Sequence, residues 1–163
     1  MGGFVLVRSC HPFDIVPLPV PDGLRVAVVH PHCQVSTAEA RRLVKERKYG
    51  LDVIVPNLGS VAAVVAALYT GDLQLLGRSI DDRIIEPLRA TLIPGFDDVK
   101  SAALSAGALG CSIAGSGPSV FAFADDDASA QRIGEAMQAA FRSANLESDL
   151  FSGKVSTEGA RVI

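Results

Sequence analysis

The segment Val35-Ser36-Thr37-Ala38-Glu39-Ala40-Arg41 carries side chains whose spacing suits the binding of an anion. Ser36 and Glu39 match the capping box, in which a hydroxyl and a carboxylate three residues later satisfy backbone N–H groups at a helix start. Thr37 and Arg41 are four residues apart and project from one face of that helix. The free N–H groups and the positive dipole end favour a phosphate or carboxylate there. An ordinary capped helix with a solvated Arg41 is the alternative interpretation.

A second candidate is the glycine-rich segment Gly115-Ser116-Gly117-Pro118-Ser119, which lies between two apolar runs. It matches neither the phosphate loop GxxxxGK[ST] nor the dinucleotide pattern GxGxxG at a helix start. Two glycines allow the backbone to approach a ligand closely, with amide groups facing an anion. The same residues are also typical of a hairpin turn without a ligand.

Two further groups carry weaker signals. Arg89 is spaced like a surface cation, and surface ion pairs contribute little. The segment His30-Pro31-His32-Cys33 suggests a metal site, but no second cluster supplies the remaining ligands, so we predict no metal. We find no recognisable serine–histidine–acid arrangement and no HExxH motif.

Composition restricts the class of protein. The 163 residues are 48% hydrophobic and 20% charged, which predicts one folded domain rather than a disordered chain. The net charge of −3 gives no electrostatic basis for nucleic-acid binding. The longest uninterrupted apolar run, residues 61–69, is shorter than a bilayer span. Three widely spaced cysteines predict free thiols in a reducing compartment, so we expect a soluble, cytoplasmic protein.

Strand-like runs and helical periodicity alternate irregularly along the chain. We predict strands within 4–7, 13–20 and 24–29, then a helix from Ser36 to about Arg47. A longer helix follows and ends at Gly71. Pro56 must lie in its first turn or kink it there, and one apolar stripe runs along it, formed by Ile54, Leu58, Val61, Val65 and Leu68.

The second half continues with a helical segment from Asp72 to about Ile85, interrupted by Glu86-Pro87. We predict a helix from about Pro94 to Gly107, a strand on each side of the glycine segment, a last amphipathic helix around 133–141, and late strands at 154–155 and 160–163. This order predicts an α+β fold, a sandwich with helices on one face of a mostly antiparallel sheet.

Taken in order, these blocks resemble the C-terminal part of the homoserine kinase family, within the GHMP kinase superfamily. The resemblance rests on residues 35–41, on Glu86-Pro87-Leu88-Arg89 followed by Ile93-Pro94-Gly95-Phe96, and on 115–122, with Gly159-Ala160-Arg161-Val162 near the end. It implies a ferredoxin-like α/β sandwich and ATP-dependent phosphorylation of the L-homoserine hydroxyl in threonine biosynthesis.

By this resemblance, Arg41 and Arg89 would hold the carboxylate of the amino-acid substrate, in agreement with the bidentate geometry of a guanidinium. Thr37 would lie beside the phosphoryl-transfer centre. Gly115, Ser116 and Gly117 match the third motif of the superfamily, a loop packed against the nucleotide phosphate loop and the substrate.

The ATP loop of that superfamily, rich in proline, glycine and serine, is not found in these 163 residues. We therefore expect residues 1–163 to be the substrate-side C-terminal domain, with 1–23 the tail of a missing N-terminal kinase half. ATP and Mg²⁺ would act in the full-length enzyme, and we expect neither ATP binding nor kinase activity from the chain alone. A native protein split into two pieces fits the same pattern.

Two other functions stay open at this point. One is a non-catalytic regulatory module of ferredoxin-like fold that binds a small molecule, because fold does not determine function. The other is a different GHMP small-molecule kinase. A regulatory module has no need for Thr37, Arg41, Arg89 and the glycine segment together. Association of the chain with itself also stays open, since a face left bare by a missing half would favour it.

Overall fold

A computed structural model describes residues 2–45 and 47–159 of the chain. Six strands and six helices follow one another in a mixed order. The strands are β1 (Phe4–Cys10), β2 (Phe13–Leu18), β3 (Arg25–Pro31), β4 (Gly110–Ile113), β5 (Val120–Ala124) and β6 (Ser148–Lys154). The helices are α1 (Thr37–Lys45), α2 (Leu51–Thr70), α3 (Leu73–Arg78), α4 (Glu86–Ala90), α5 (Phe96–Ser105) and α6 (Asp127–Ser143).

The main sheet has four antiparallel strands in the order β4-β5-β3-β6. Strand β5 is joined to β4 by a tight turn and to β6 by α6, whereas the connection from β3 to β4 contains helices α1 to α5. The predicted strands on both sides of the glycine segment are β4 and β5, which pair from Gly110 with Phe123 to Ile113 with Val120. The α+β fold class is confirmed.

The larger core lies on one face of this sheet, where α5 and α6 pack. Val29 and Ala122 from the central strands meet Val99 of α5 and Met137 and Phe141 of α6, all fully buried. Since successive strand residues point to opposite faces, Val26, Phe121 and Phe123 lie on the other face.

A second apolar cluster covers part of that other face. We expected helices on one face only, whereas the structure has helices on both faces of the main sheet. Ala67 and Leu68 at the end of α2, with Leu76 of α3, pack against Phe123. Phe4 of β1 adds an edge-to-face ring contact to Phe123, with ring centroids 6.2 Å apart. The two-stranded sheet of β1 and β2 is thereby attached to the main sheet.

Helix α2 is present where the sequence predicts it, and its apolar stripe is only partly buried. It begins after Gly50 and ends at Gly71, which adopts the left-handed conformation, as its sequence indicated. Pro56, however, is the sixth helical residue and lies beyond the first turn. Of the predicted apolar stripe, Leu68 is buried, whereas Leu58 and Val61 are 63% and 52% exposed. The stripe is therefore not a continuous core face, because the buried residues of α2, Ala67 and Leu68, lie at its C-terminal end.

By length and composition alone, α2 also qualifies as a membrane-crossing helix. This is weak evidence, because apolar helices of soluble proteins pass the same test. Ala67 and Leu68 are buried in the core, and Asn57 Oδ1 accepts a hydrogen bond of 2.9 Å from the backbone of Arg83. Both contacts attach α2 to the rest of the domain.

The region between α2 and α5 was predicted least well. Helix α3 ends at Arg78 rather than near Ile85, and Glu86-Pro87 begins α4 instead of interrupting a helix. Proline is compatible with the first turn, where its missing N–H has no intrahelical acceptor. At the C-terminus, β6 includes Lys154, whereas the strand predicted at 160–163 lies outside the described residues.

Candidate functional site

The start of α1 has the predicted cap. Ser36 Oγ accepts a hydrogen bond of 3.3 Å from the backbone N–H of Glu39, and Thr37 is the first helical residue. Ala40 is buried and attaches the helix to the domain, which leaves Thr37 and Arg41 exposed. The exposed side contains an open cavity of about 570 Å³, lined by Ala38, Arg41, Arg42 and Lys45. Three cations around one cavity favour a negatively charged ligand.

Helix α4, which carries Arg89, lies against α1 and is held at its start by Asp82. The Asp82 carboxylate accepts hydrogen bonds from the backbone N–H groups of Ile84 and Ile85, both at 2.9 Å, and of Glu86, at 3.1 Å. These bonds satisfy donors that have no acceptor within the helix. The approach of α4 to α1 brings the two helices with the predicted binding arginines together.

Arg89 contacts the glycine segment directly. Its Nη1 donates a hydrogen bond of 2.6 Å to the carbonyl oxygen of Gly115. Its Nε is buried and has no hydrogen-bond partner in the described part of the chain. A guanidinium has five N–H donors, so most of the donor capacity of Arg89 is not used by Gly115.

The glycine segment forms a tight turn between β4 and β5. Ala114 N–H donates to Ser119 O at 2.8 Å, and Gly117 N–H donates to Ala114 O at 3.1 Å. Gly115 (φ 62°) and Gly117 (φ 79°) adopt left-handed conformations that suit glycine. The N–H groups of Gly115 and Ser116 have no acceptor among residues 2–45 and 47–159, and both residues are exposed. The turn therefore presents two amide donors to solvent.

Not every predicted site residue meets the others. Arg89 and the glycine turn are in contact, and α1 adjoins α4. Within the described residues, no hydrogen bond joins Thr37 or Arg41 to the turn. The roles of these residues as substrate or phosphate contacts remain predictions.

Glu86 is a buried residue of the site that was not among the candidate residues predicted from the sequence. Arg83 pairs with Asp81, whereas the side chain of Glu86 points inward and is only 10% exposed. Glu86 forms an ion pair with Lys100 and accepts a hydrogen bond of 2.5 Å from Ser112 Oγ. The local sequence carries no signal for this inward direction, because the partners Lys100 and Ser112 are 14 and 26 positions away along the chain.

The histidines near the end of β3 each have a polar neighbour. His30 Nδ1 is 2.8 Å from Ser119 Oγ, and His32 Nε2 is 3.0 Å from Asp149 Oδ2. Among the residues that the structure describes, no group of three His, Cys, Asp or Glu side chains could hold a metal ion.

Cys111, next to Ser112, is unsuited to nucleophilic chemistry. The pKa of its thiol is raised from 9.0 to about 12, mainly by burial; Lys100 partly opposes this shift and Glu86 adds to it. The thiolate is the reactive form, so Cys111 acts as a small apolar residue in the core.

Comparisons with known proteins agree with this geometry. The family of GHMP kinase C-terminal domains matches residues 64–143. A homoserine kinase of Chlorobium phaeobacteroides (strain BS1) is 50% identical over the whole chain, and one of Arabidopsis thaliana is 39% identical. The chain spans 51% of the first relative and 45% of the second. It therefore covers about half the length of the curated relatives it matches.

Solved structures give the same result. The crystal structure of homoserine kinase from Cytophaga hutchinsonii superposes with a TM-score of 0.96 at 50% identity, covering 99% of this chain and 51% of that one. The mevalonate kinase of L. major, solved with R-mevalonate, has a TM-score of 0.64 at 20% identity over 90% of this chain and 47% of its own, which indicates a shared fold. The chain is a C-terminal domain of the GHMP kinase family, and it corresponds to the C-terminal half of homoserine kinases.

Proposed function

We propose that this chain is the substrate-binding part of a homoserine kinase, which transfers a phosphoryl group from ATP to the side-chain hydroxyl of L-homoserine. Its place would be threonine biosynthesis in the cytoplasm. The observation that carries the proposal is the arrangement of Arg89, which lies against the glycine turn with most of its donors unused. The 50% identity to proteins named homoserine kinase supports the same substrate.

In this proposal, Arg89 and Arg41 bind the carboxylate of homoserine. A planar guanidinium can donate two parallel hydrogen bonds to a carboxylate, so two such groups could together donate to both of its oxygens. The contact between α1 and α4 supports a shared site for the two side chains. Arg41, exposed at the basic cavity, would approach the substrate from the α1 side.

Thr37 and the glycine turn would lie toward the phosphate. The two free amides of Gly115 and Ser116 are donors of the kind that bind phosphate oxygens. A Cβ added at Gly115 would meet nothing within 4 Å, so open space surrounds this part of the backbone. Thr37, at the positive end of α1, would be a polar neighbour of the phosphoryl group.

ATP and Mg²⁺, which the family requires, differ in how well the residues of this chain suit them. The amides of the turn suit an ATP phosphate. Residues 2–45 and 47–159 offer no cluster of three His, Cys, Asp or Glu side chains that could hold Mg²⁺. The metal ligands and the adenine site would belong to the other half of the protein.

We further propose that an N-terminal kinase half docks on α2. The apolar side chains of Leu51, Val55, Leu58 and Val61 are between 52% and 74% exposed along this helix. Patches of this type mark contacts with other protein surfaces. The sheet of β1 and β2, within residues 1–23, would then be the tail of that half, and a second copy of the chain is the competing occupant.

The test joins the chain to the N-terminal half of the Chlorobium phaeobacteroides homoserine kinase and measures homoserine-dependent ADP release. Arg89→Ala should weaken homoserine binding by about 2 kcal/mol, because a charged hydrogen-bond donor is removed. Arg83→Ala is the matched control, since Arg83 is exposed and pairs with Asp81. Unchanged homoserine affinity in Arg89→Ala would refute the assignment of the carboxylate site.

A further inference from the structure

Helix α4 is too short to hold its own orientation. It has five residues, little more than one turn, and helices of this length are not stable in isolation. The direction in which Arg89 points therefore depends on the contacts that α4 makes with other elements. Asp82 holds the backbone at its start, but those bonds lie at the opposite end from Arg89.

Glu86 supplies contacts that reach two other elements at once. One carboxylate oxygen pairs with Lys100 of α5, and the other accepts a hydrogen bond of 2.5 Å from Ser112 of β4. Glu86 is only 8% exposed, and the side chain of Lys100 is 26% exposed. A buried carboxylate with both oxygens occupied fixes the rotation of the helix from which it projects.

The first residue of α4, Glu86, and Arg89 near its end both bond to the segment formed by β4 and the glycine turn. Glu86 and Arg89 are three residues apart and so lie on one side of the helix. Ser112 and Gly115, their respective partners, are also three residues apart along the chain. These contacts form a closed ring of two side-chain bonds and two short backbone segments, which couples the position of Arg89 to that of Glu86.

We propose that Glu86 is a positioning residue for Arg89: held by Lys100 and Ser112, it orients α4 so that the Arg89 guanidinium faces the substrate beside the glycine turn. The consequence for catalysis rests on the proposed function. The orientation itself does not, and it can be measured on this chain alone.

The first measurement is the nuclear magnetic resonance signal of the Arg89 Nε–H group in the 163-residue chain. Because Nε is buried, its proton should exchange slowly with water in the native protein. Glu86→Gln should speed that exchange by about fivefold or more, a coupling typical of residues in one hydrogen-bond network. Glu135→Gln is the control, since Glu135 is an exposed residue of α6 bonded to Gln131.

The second measurement is a double-mutant cycle in the kinase assembled with the N-terminal half. Glu86→Gln should raise the KM for homoserine about fivefold or more and leave the KM for ATP unchanged. In the Arg89→Ala background the same substitution should have no further effect on homoserine. If Glu86 were needed only for stability, Glu86→Gln would change the KM for homoserine equally in the wild-type and Arg89→Ala backgrounds.

Unchanged Nε exchange in Glu86→Gln, or an effect on homoserine that persists without Arg89, would overturn the proposal. Altered exchange in Glu86→Gln, with homoserine binding unaffected by Arg89→Ala, would reject the proposed function and retain the positioning role. Should Glu86→Gln not fold, Ser112→Ala replaces it, because this change keeps the ion pair with Lys100 and removes one bond to the carboxylate.

Discussion

Arg89 Nη1 donates a hydrogen bond of 2.6 Å to the carbonyl oxygen of Gly115, across 26 positions of sequence. This bond joins a one-turn helix to a turn whose amides face solvent. It places a cation and two amide donors, those of Gly115 and Ser116, on adjoining surfaces. A ligand with a carboxylate at one end and a phosphate-accepting group at the other suits such a surface.

Arg89→Lys should loosen the glycine turn, because a lysine lacks the planar fork of donors. We expect the amide of Gly117, bonded to Ala114 O, to exchange with deuterium about tenfold faster, the effect of losing a charged hydrogen bond. Hydrogen exchange measured by mass spectrometry on the turn peptide checks this. Arg83→Lys should leave the rate unchanged, and equal rates in wild type and Arg89→Lys would contradict the prediction.

Glycine to alanine should have opposite effects at two helical positions. A Cβ at Gly77 would lie 2.2 Å from the backbone oxygen of Leu109, so Gly77→Ala should lower the free energy of unfolding by about 2 kcal/mol or more. At Gly59, on α2, a Cβ meets nothing within 4 Å, so alanine should raise it by about 0.5–1 kcal/mol. Urea unfolding measures both, and the same sign at both positions would contradict the packing at Gly77.

A charge on the exposed face of α2 should prevent docking of the N-terminal half. Leu58→Glu places a carboxylate where a 63% exposed leucine lies, so it should leave the unfolding temperature of the chain nearly unchanged. Its association with the co-expressed N-terminal half should fall at least about tenfold in pull-down titrations. Glu135→Leu is a useful control on α6. Loss of self-association alone would show that a second copy occupies the face.

Asp126 should make stability depend on pH in the acidic range. Hydrogen bonds from the backbone N–H and then the hydroxyl of Ser129 lower the pKa of Asp126 below its usual 3.8. Because the pKa of Asp126 is lower in the folded chain than in the unfolded chain, its charged form stabilises the fold at pH values above the unfolded-state pKa. This stability is lost as the pH falls through the folded-state pKa. Asp126→Asn keeps the helix cap but cannot titrate. As the pH is lowered below about 4, the free energy of unfolding measured with urea should therefore fall more in wild type than in Asp126→Asn. An equal fall in the free energy of unfolding of the two proteins would contradict the role of Asp126.

The cysteines should differ in reactivity. Cys10 is exposed, whereas burial raises the pKa of Cys111 to about 12. Iodoacetamide near pH 8 should label Cys10 within minutes and Cys111 only after unfolding, as mass spectrometry will show. The raised pKa also means that Cys111 stabilises the fold below pH 9 and that this stability declines between about 9 and 12. Rapid labelling of Cys111 in Cys10→Ser would contradict its burial.

Features decided by a few neighbouring residues were predictable from the sequence. The cap at Ser36, the end of α2 at Gly71 and the strand–turn–strand around Gly115 all depend on contacts within about five positions. Such contacts form from the residue types alone, because hydroxyl caps and left-handed glycines satisfy local backbone groups. The mostly antiparallel sheet was predicted from the order of these elements, and the family from the resemblance of the quoted sequence blocks.

Features that join distant segments required the tertiary structure. The sequence does not reveal that Glu86 turns inward to Lys100 and Ser112, or that Arg89 reaches Gly115. Nor does the apolar period of α2 reveal that Leu58 faces outward, because a stripe indicates which residues share a side and not whether anything covers it. The sequence by itself determined the local elements and the candidate residues. Packing between elements far apart in the chain decided burial and side-chain direction, since these depend on which surfaces meet.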